Sequence, residues 1–382
     1  MLTDERRLIL QTVNRIASRL GRRYWLECAR AGRQPHELWS ELASAGLTGV
    51  GVPAEMGGSG YGLVEAVLVQ EALAKHGIPL LHLLTTQLSR IPIIRYGSRE
   101  QVEEYVRRTC GEGRRISLCV TEAEAGSDTW RIKTFAERRN SGYILTGQKS
   151  FITGAAEADF LLVVARTRRY EEVVDKKDGI SLFILESGLE GISFERLNIE
   201  MHSPEHQYIV YFDGVKLDDR NLVGGEGMGY QYLFDALNVE RILIAAISVG
   251  LGDHILGKAV DYAKQRIVFG KPIGSYQGLQ FRLARAKIHM EASRLMVYDA
   301  ASKFDRDEKV GGEANMAKYI AAEASLEAFE AAMQTLGGYA YELETDVITL
   351  YPIIRLFKTA PVTDELVLSY VGRHVLGLPK SY

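Results

Sequence analysis

A band of short strand-like segments lies between two long runs of helical periodicity, and this change of texture restricts the fold more than any other feature of the chain. From Arg115 onward, RISLCVTE, YILTGQKSFIT, DFLLVVART, GISLFILES and YIVYFDGVKL are short and rich in β-branched and aromatic residues. Turn residues part them: Ser-Gly at 141–142 and Asp-Gly at 178–179 and 213–214. No helix in the band is long enough for a crossover. The pattern predicts a small, mostly antiparallel β domain, a sandwich or barrel.

On either side the period is helical. LTDERRLILQTVNRIASRL, PHELWSELASAGL and LVEAVLVQEALAKHG carry apolar residues at three- and four-residue spacing. Thr3 is followed by Arg6, not by a capping-box acid. After Gly224 come three long helical stretches and a last segment near VTDELVLSYVGRHVLG, four helices whose short connections predict a bundle. At 382 residues the chain exceeds one simple core. The class read here is α+β, with a helical domain over 1–114, a β domain over 115–222 and a helical bundle over 223–382.

Charge and cysteine content exclude several functions. A net charge of −3 gives no bulk basic character for nucleic acid or an anionic membrane surface. Cys28, Cys110 and Cys119 form no C-x-x-C pair and no disulfide framework, which suits a reducing compartment. The N-terminus MLTDERRLIL lacks the apolar core of a signal peptide, and no run of about 20 apolar residues is evident to span a bilayer. A cytoplasmic chain is expected.

Several motifs need weighing. HSPEH (His202 to His206) spells a zinc-protease pattern, but Pro204 and flanking strands make it a loop, so no metal is expected. GVGVPA (Gly49 to Ala54) imitates a dinucleotide fingerprint without the strand-to-helix context, and GGEGMG lacks the Lys-Ser/Thr of a P-loop. LCVTEAEAGSD (Leu118 to Asp128) is more specific: a strand turns into small residues whose backbone can approach a ligand, with Thr121 and Ser127 as hydroxyl donors. QRIVFGKPIGSYQ sets Arg266 and Lys271 around Phe269, a set suited to phosphate and a ring, or to capping a helix. MQTLGGYAY ends a helix in glycines, either to admit a ligand or as a C-cap.

In this order, WSELASAGLTGVGVPAEMGG, VTEAEAGSD, GYILTGQKSFIT, VERILIAA, QRIVFGKPIGSYQ and MQTLGGYAY resemble the acyl-CoA dehydrogenase family over nearly the whole chain. The resemblance implies a helical N-terminal domain, a β-barrel-like middle domain and a C-terminal four-helix bundle, assembled as a homodimer or homotetramer. It also implies FAD. Val120 and Thr121 would meet the flavin ring, Gly126 and Ser127 the pyrophosphate, and Phe151 and Thr153 would flank the flavin, with Phe151 where relatives have Trp. Arg266, Phe269, Gln277, Gln334 and Gly338 would bind the adenosine half of a neighbouring subunit's FAD, and Thr363 and Glu365 would supply the last cofactor contacts. Ser127 and Arg241 would touch substrate.

The implied chemistry is α,β-dehydrogenation of an acyl thioester, on coenzyme A or a carrier protein, with an electron-transfer flavoprotein as acceptor. A carboxylate takes the α-proton while a hydride leaves the β-carbon for the flavin. Many relatives carry that base in a Tyr-Glu-Gly-Thr sequence, where this chain has Ala360 to Thr363 and Pro361 at the glutamate position. Others place it on a helix just before an arginine, which here is Glu240. Asp364 and Glu365 are the fallback bases. A non-catalytic or half-active subunit of a hetero-oligomer is the alternative.

Overall fold

The computed structural model describes residues 3–380. Helix α1 (Asp4–Arg30) starts where Thr3 accepts a hydrogen bond from the Arg6 amide at 3.3 Å, and it kinks at Gly21, whose φ of 48° is open to glycine. Helices α2 (His36–Ser44), α3 (Leu63–Lys75) and α4 (Leu81–Tyr96) follow. Short turns, α5 (Arg99–Gln101) and α6 (Arg108–Gly111), close the first helical part. The glycine-rich loop between α2 and α3 folds as two 3-10 turns and opens no helix from a strand, so its likeness to a dinucleotide fingerprint has no structural counterpart.

Strands β1 (Ile116–Cys119), β2 (Phe135–Arg139), β3 (Gly142–Thr153), β4 (Phe160–Arg166), β5 (Ile180–Glu186), β6 (Ile192–Arg196), β7 (Gln207–Asp218) and β8 (Leu222–Val223) make one eight-stranded sheet. Its order is β6-β7-β3-β2-β4-β5-β8, with β1 beside β4. Most pairings are antiparallel, but β1 and β2 both meet β4 in parallel. The long β3–β7 ladder shifts register twice, between Leu145 and Gly147 and between Lys149 and Ile152. Each shift inserts an irregularity that re-aims side chains.

Helices α7 (Gly229–Gln265), α8 (Gln277–Asp305) and α9 (Gly311–Leu336) pack on one another, and the fourth member is broken into α10 (Tyr351–Leu356) and α11 (Asp364–Tyr370). A small hairpin, β9 (Ile267–Val268) and β10 (Lys271–Pro272), joins α7 to α8. The N-terminal α3 and α4 also pack against α7, so both helical parts share one hydrophobic core. This explains why α7 reads as apolar nearly all round. It corrects one expectation, because α7 is long and apolar enough to cross a bilayer by length and composition. In the fold, 78% of its most apolar window is buried inside the protein.

The HSPEH loop has a structural task. Both Glu205 oxygens accept backbone N–H groups, from Leu81 and His82, at 2.8 Å each, and so close the N-terminus of α4. Burial pushes this carboxyl up to about 7 against those two donors. Cys28, Cys110 and Cys119 are all free and buried.

Candidate active site

The loop from Val120 to Asp128 leaves the end of β1 and is pinned from below. Lys149, wholly buried on β3, donates from Nζ to the Val120 carbonyl at 2.9 Å and to Glu122 Oε1 at 2.8 Å. Glu122, also buried, accepts the Lys133 amide at 2.6 Å and the Thr134 amide at 3.0 Å. Burial raises the Glu122 carboxyl, but the Lys149 ammonium and these donors outweigh it and hold it below the ordinary carboxylate range. The Ser150 amide reaches the Thr121 carbonyl at 2.8 Å, and Ser117 Oγ donates to the Thr153 carbonyl at 2.7 Å. Val120, Thr121, Phe151 and Thr153 are thereby held on neighbouring segments.

Phe151 sits inside the second register shift of β3 at φ 58° and is 61% exposed. A bulky residue in the left-handed region is strained and signals a functional constraint. Gly126 and Ser127 are exposed, and a Cβ added at Gly126 would meet nothing within 4 Å. The fold's own packing does not demand that glycine, so the room it leaves lies on the outer side, where a ligand would approach.

A second group gathers where α7 ends. Arg266 caps α7, and the hairpin beyond it carries Phe269 at its tip, 92% exposed with φ 52°. Gln277 opens α8 in the exposed state. Tyr262 on α7 packs 5.7 Å from Tyr339, in the turn that follows α9 and holds Gly338, with Gln334 in the last turn of α9 itself. A groove of about 410 Å³ lined by Arg282, Arg285, Gln334 and Gly337 runs there, and a Cβ at Gly338 would also meet nothing. Among the described residues, no hydrogen bond or ion pair joins this group to the Val120–Thr153 group.

The third set of predicted residues comprises Glu240 and Arg241 on α7 and the first turn of α11. Glu240 is half-buried and among the described residues has no hydrogen-bond or ion-pair partner. Burial pushes its carboxyl up to about 7, with the Arg241 charge pulling the other way. Arg241 is buried; its Nη1 donates to Asn238 at 3.2 Å and its Nε has no partner. Thr363 caps α11 by accepting the Leu366 amide at 3.4 Å, and Glu365 is exposed on the first turn. Asp364 is buried between Lys318 at 2.9 Å and Lys358 at 3.1 Å, and Lys318 also donates to the Val362 carbonyl at 2.8 Å.

Sequence reasoning missed Glu122, Lys149 and Lys318. For Lys149 a signal existed: a lysine in the middle of the apolar strand GYILTGQKSFIT, two residues before an outward aromatic.

The three-part fold is shared with known proteins. The chain matches the acyl-CoA dehydrogenase N-terminal domain over residues 3–112, the middle domain over 117–215 and the C-terminal domain over 227–376. It is 38% identical over 383 residues to acyl-CoA dehydrogenase FadE12 of Mycobacterium tuberculosis, covering 100% of this chain and 98% of that one. A glutaryl-coenzyme A dehydrogenase solved with glutaryl-CoA superimposes with a TM-score of 0.94 at 28% identity, covering 100% of this chain and 97% of that one. PigA solved with FAD and proline gives 0.92 at 26%, covering 99% of each. With all three domain types matched in order and a relative alike from end to end, the chain belongs to the acyl-CoA dehydrogenase family.

Proposed function

We propose that this chain is an FAD-dependent acyl-CoA dehydrogenase in which Glu240 removes the α-proton of an acyl thioester. The observation that carries the assignment of the base is the half-buried Glu240 carboxyl, which has no hydrogen-bond or ion-pair partner among the described residues and which burial pushes up to about 7. A general base works best when its pKa lies near the working pH, ionised yet still ready for a proton. The nearby carboxylates do not meet this need. Asp364 is held by two lysines, and Glu365 faces water. Pro361 has no acid to offer.

The residues fit FAD. Two exposed phenylalanines in left-handed conformations, Phe151 and Phe269, and two glycines that nothing in the chain crowds, Gly126 and Gly338, all lie at positions expected to touch it. Val120, Thr121, Phe151 and Thr153 would hold the ring system, and Gly126 and Ser127 the pyrophosphate. Bound there, the flavin supplies the acceptor for the two electrons that leave the β-carbon as hydride. Arg266, Phe269, Gln277, Gln334 and Gly338 would serve the FAD of a neighbouring subunit, with Thr363 and Glu365 completing the contacts. Arg241, with an orphaned buried donor, is suited to an acceptor on the pantetheine arm. Ser127 would face the same substrate.

An electron-transfer flavoprotein is the proposed electron acceptor, and a homodimer or homotetramer the proposed assembly. Three free, buried cysteines are compatible with a reducing, cytoplasmic setting. Anaerobic mixing with a panel of acyl-CoAs tests the reading, since turnover bleaches the flavin absorbance. A colourless protein that gains no spectrum on adding FAD sinks the flavoenzyme. A yellow protein that no thioester bleaches, alone or mixed with a related chain, points to a silent subunit.

A further inference from the structure

Three consecutive residues at the end of the HSPEH loop, Glu205, His206 and Gln207, tie the start of α4 to the end of β3. Glu205 takes the Leu81 and His82 amides of α4. The His206 carbonyl accepts the Gly154 amide at 2.9 Å. Gln207 opens β7 as the register partner of Thr153, and its amide faces the Thr153 hydroxyl, Nε2 at 3.0 Å and Oε1 at 3.2 Å. The loop is itself tied down. Gln34 donates to the Pro204 carbonyl at 2.9 Å, and the Glu205 amide donates to Ser203 Oγ at 3.2 Å.

A second line of bonds reaches Thr153 from α4. Ser117 on β1 spends its only hydrogen on the Thr153 carbonyl at 2.7 Å. Its oxygen can then only accept, and His82 Nε2 lies 3.3 Å away. The ring hydrogen of His82 therefore sits on Nε2, and Nδ1 carries a lone pair. Nδ1 has no partner among the described residues. Burial, aided by the Arg115 charge, holds the ring well below its ordinary pKa, so it is neutral. Gly154 makes room for it: at φ 64°, a Cβ added there would stand 2.5 Å from His82 Nδ1. His82 is 1% exposed and Ser117 wholly buried. Apolar side chains of the same shape would fill both places without an orphaned ring nitrogen, so these bonds serve position more than stability.

Thr153 is thus held at its carbonyl by Ser117, at its hydroxyl by Gln207 and at the next amide by His206. We propose that Gln207 and the His82–Ser117 pair are positioning residues for the flavin. They set where Thr153 meets the ring system, and through it how tightly the flavin is held and how readily it is reduced. The proposal rests on the reading of Thr153 as a flavin contact.

The test compares Ser117→Ala, His82→Leu, His82→Gln and Gln207→Leu with the wild type. Apoprotein is titrated with FAD by fluorescence quenching, and the visible spectrum and midpoint potential of the loaded protein are recorded. Loss of one hydrogen bond in Ser117→Ala, His82→Leu or Gln207→Leu should weaken FAD about two- to tenfold and shift both the band and the potential. His82→Gln, whose amide nitrogen reaches the place of Nε2, should bring all three back toward the wild type. Adding His82→Leu to Ser117→Ala should cost nothing further, because the ring acts only through the serine. Nitrogen NMR of the wild-type apoprotein near neutral pH should show His82 protonated at Nε2 alone.

Wild-type affinity, spectrum and potential in Ser117→Ala and Gln207→Leu overturn the proposal and leave the flavin reading standing. These two variants decide the matter even where His82→Leu fails to fold, since they remove only one hydroxyl and one half-buried amide. A double variant whose losses add, or a ring protonated at Nδ1, also overturns it. A wild type that takes up no FAD overturns both the proposal and the flavoprotein reading.

Discussion

Three carboxylates compete for one role, and their surroundings separate them. Asp364 is buried and already engaged by Lys318 and Lys358, so its oxygens are committed to structural ion pairs. Glu365 is exposed and wet. Glu240 alone is half-dry and unpaired. Glu240→Gln keeps shape and removes the proton acceptor, so flavin reduction by acyl-CoA should fall about 10²–10⁴-fold while FAD is retained. Wild-type rates under the same stopped-flow conditions would move the base elsewhere. Because the working form is the carboxylate, kcat/KM should climb as pH rises toward about 7 and level off above it. The effect on stability runs the other way. A carboxyl whose folded pKa is raised binds its proton more tightly when folded, so its contribution is fully present below the unfolded value and is lost as pH rises through about 7. A pH–rate profile that is flat from 5 to 8 would contradict the assignment.

The Val120–Asp128 loop shows how an element without regular structure is kept in place. Its anchor is a buried ion pair, Lys149 with Glu122, reinforced by two backbone amides. Removing one partner of such a pair leaves a buried charge and costs about 3–5 kcal/mol. Lys149→Met should therefore lower stability by that order and weaken FAD retention. Adding Glu122→Gln should restore part of the loss, as chemical denaturation of single and double variants would measure. A stable, fully flavinated Lys149→Met protein would remove the anchor from the account. The same region shows what sequence reading reaches. The short, charge-ended β2 and β6 went unread, while strand texture and turn dipeptides made β1, β3, β4, β5 and β7 legible because side-chain alternation is local. The parallel pairing of β1 with β4 and the pairing of Lys149 with Glu122 were not, because residues 27 positions apart meet only once the sheet has formed. Phe151 was singled out by resemblance alone, while its left-handed backbone depends on a register shift that no local pattern announces.

At the scale of the molecule, α8 leaves Phe281, Ile288 and Leu295 exposed at seven-residue intervals, one apolar face that none of the described residues covers. The hairpin bearing Arg266 and Phe269 stands free at the end of α7. Both are suited to a second copy of the chain. Ile288→Glu with Leu295→Glu should yield smaller species in sedimentation and lose flavin in parallel, and Arg266→Ala should lose flavin while remaining assembled. A monomeric, fully yellow double variant would refute the shared cofactor site. The central helix α7 carries one more consequence, which concerns synthesis. It is complete at Gln265, and α3 and α4 are already made to cover one side, but α9, which covers another, ends only at Leu336. At roughly 5–20 residues per second, the ribosome needs about 4–14 s for the intervening 71 residues (336 − 265). For that interval the longest helix among the described residues, the one that bears Glu240, waits half-covered. A chaperone that holds apolar segments should engage the nascent chain there, and a chain stopped at Arg306 should aggregate where the full chain stays soluble.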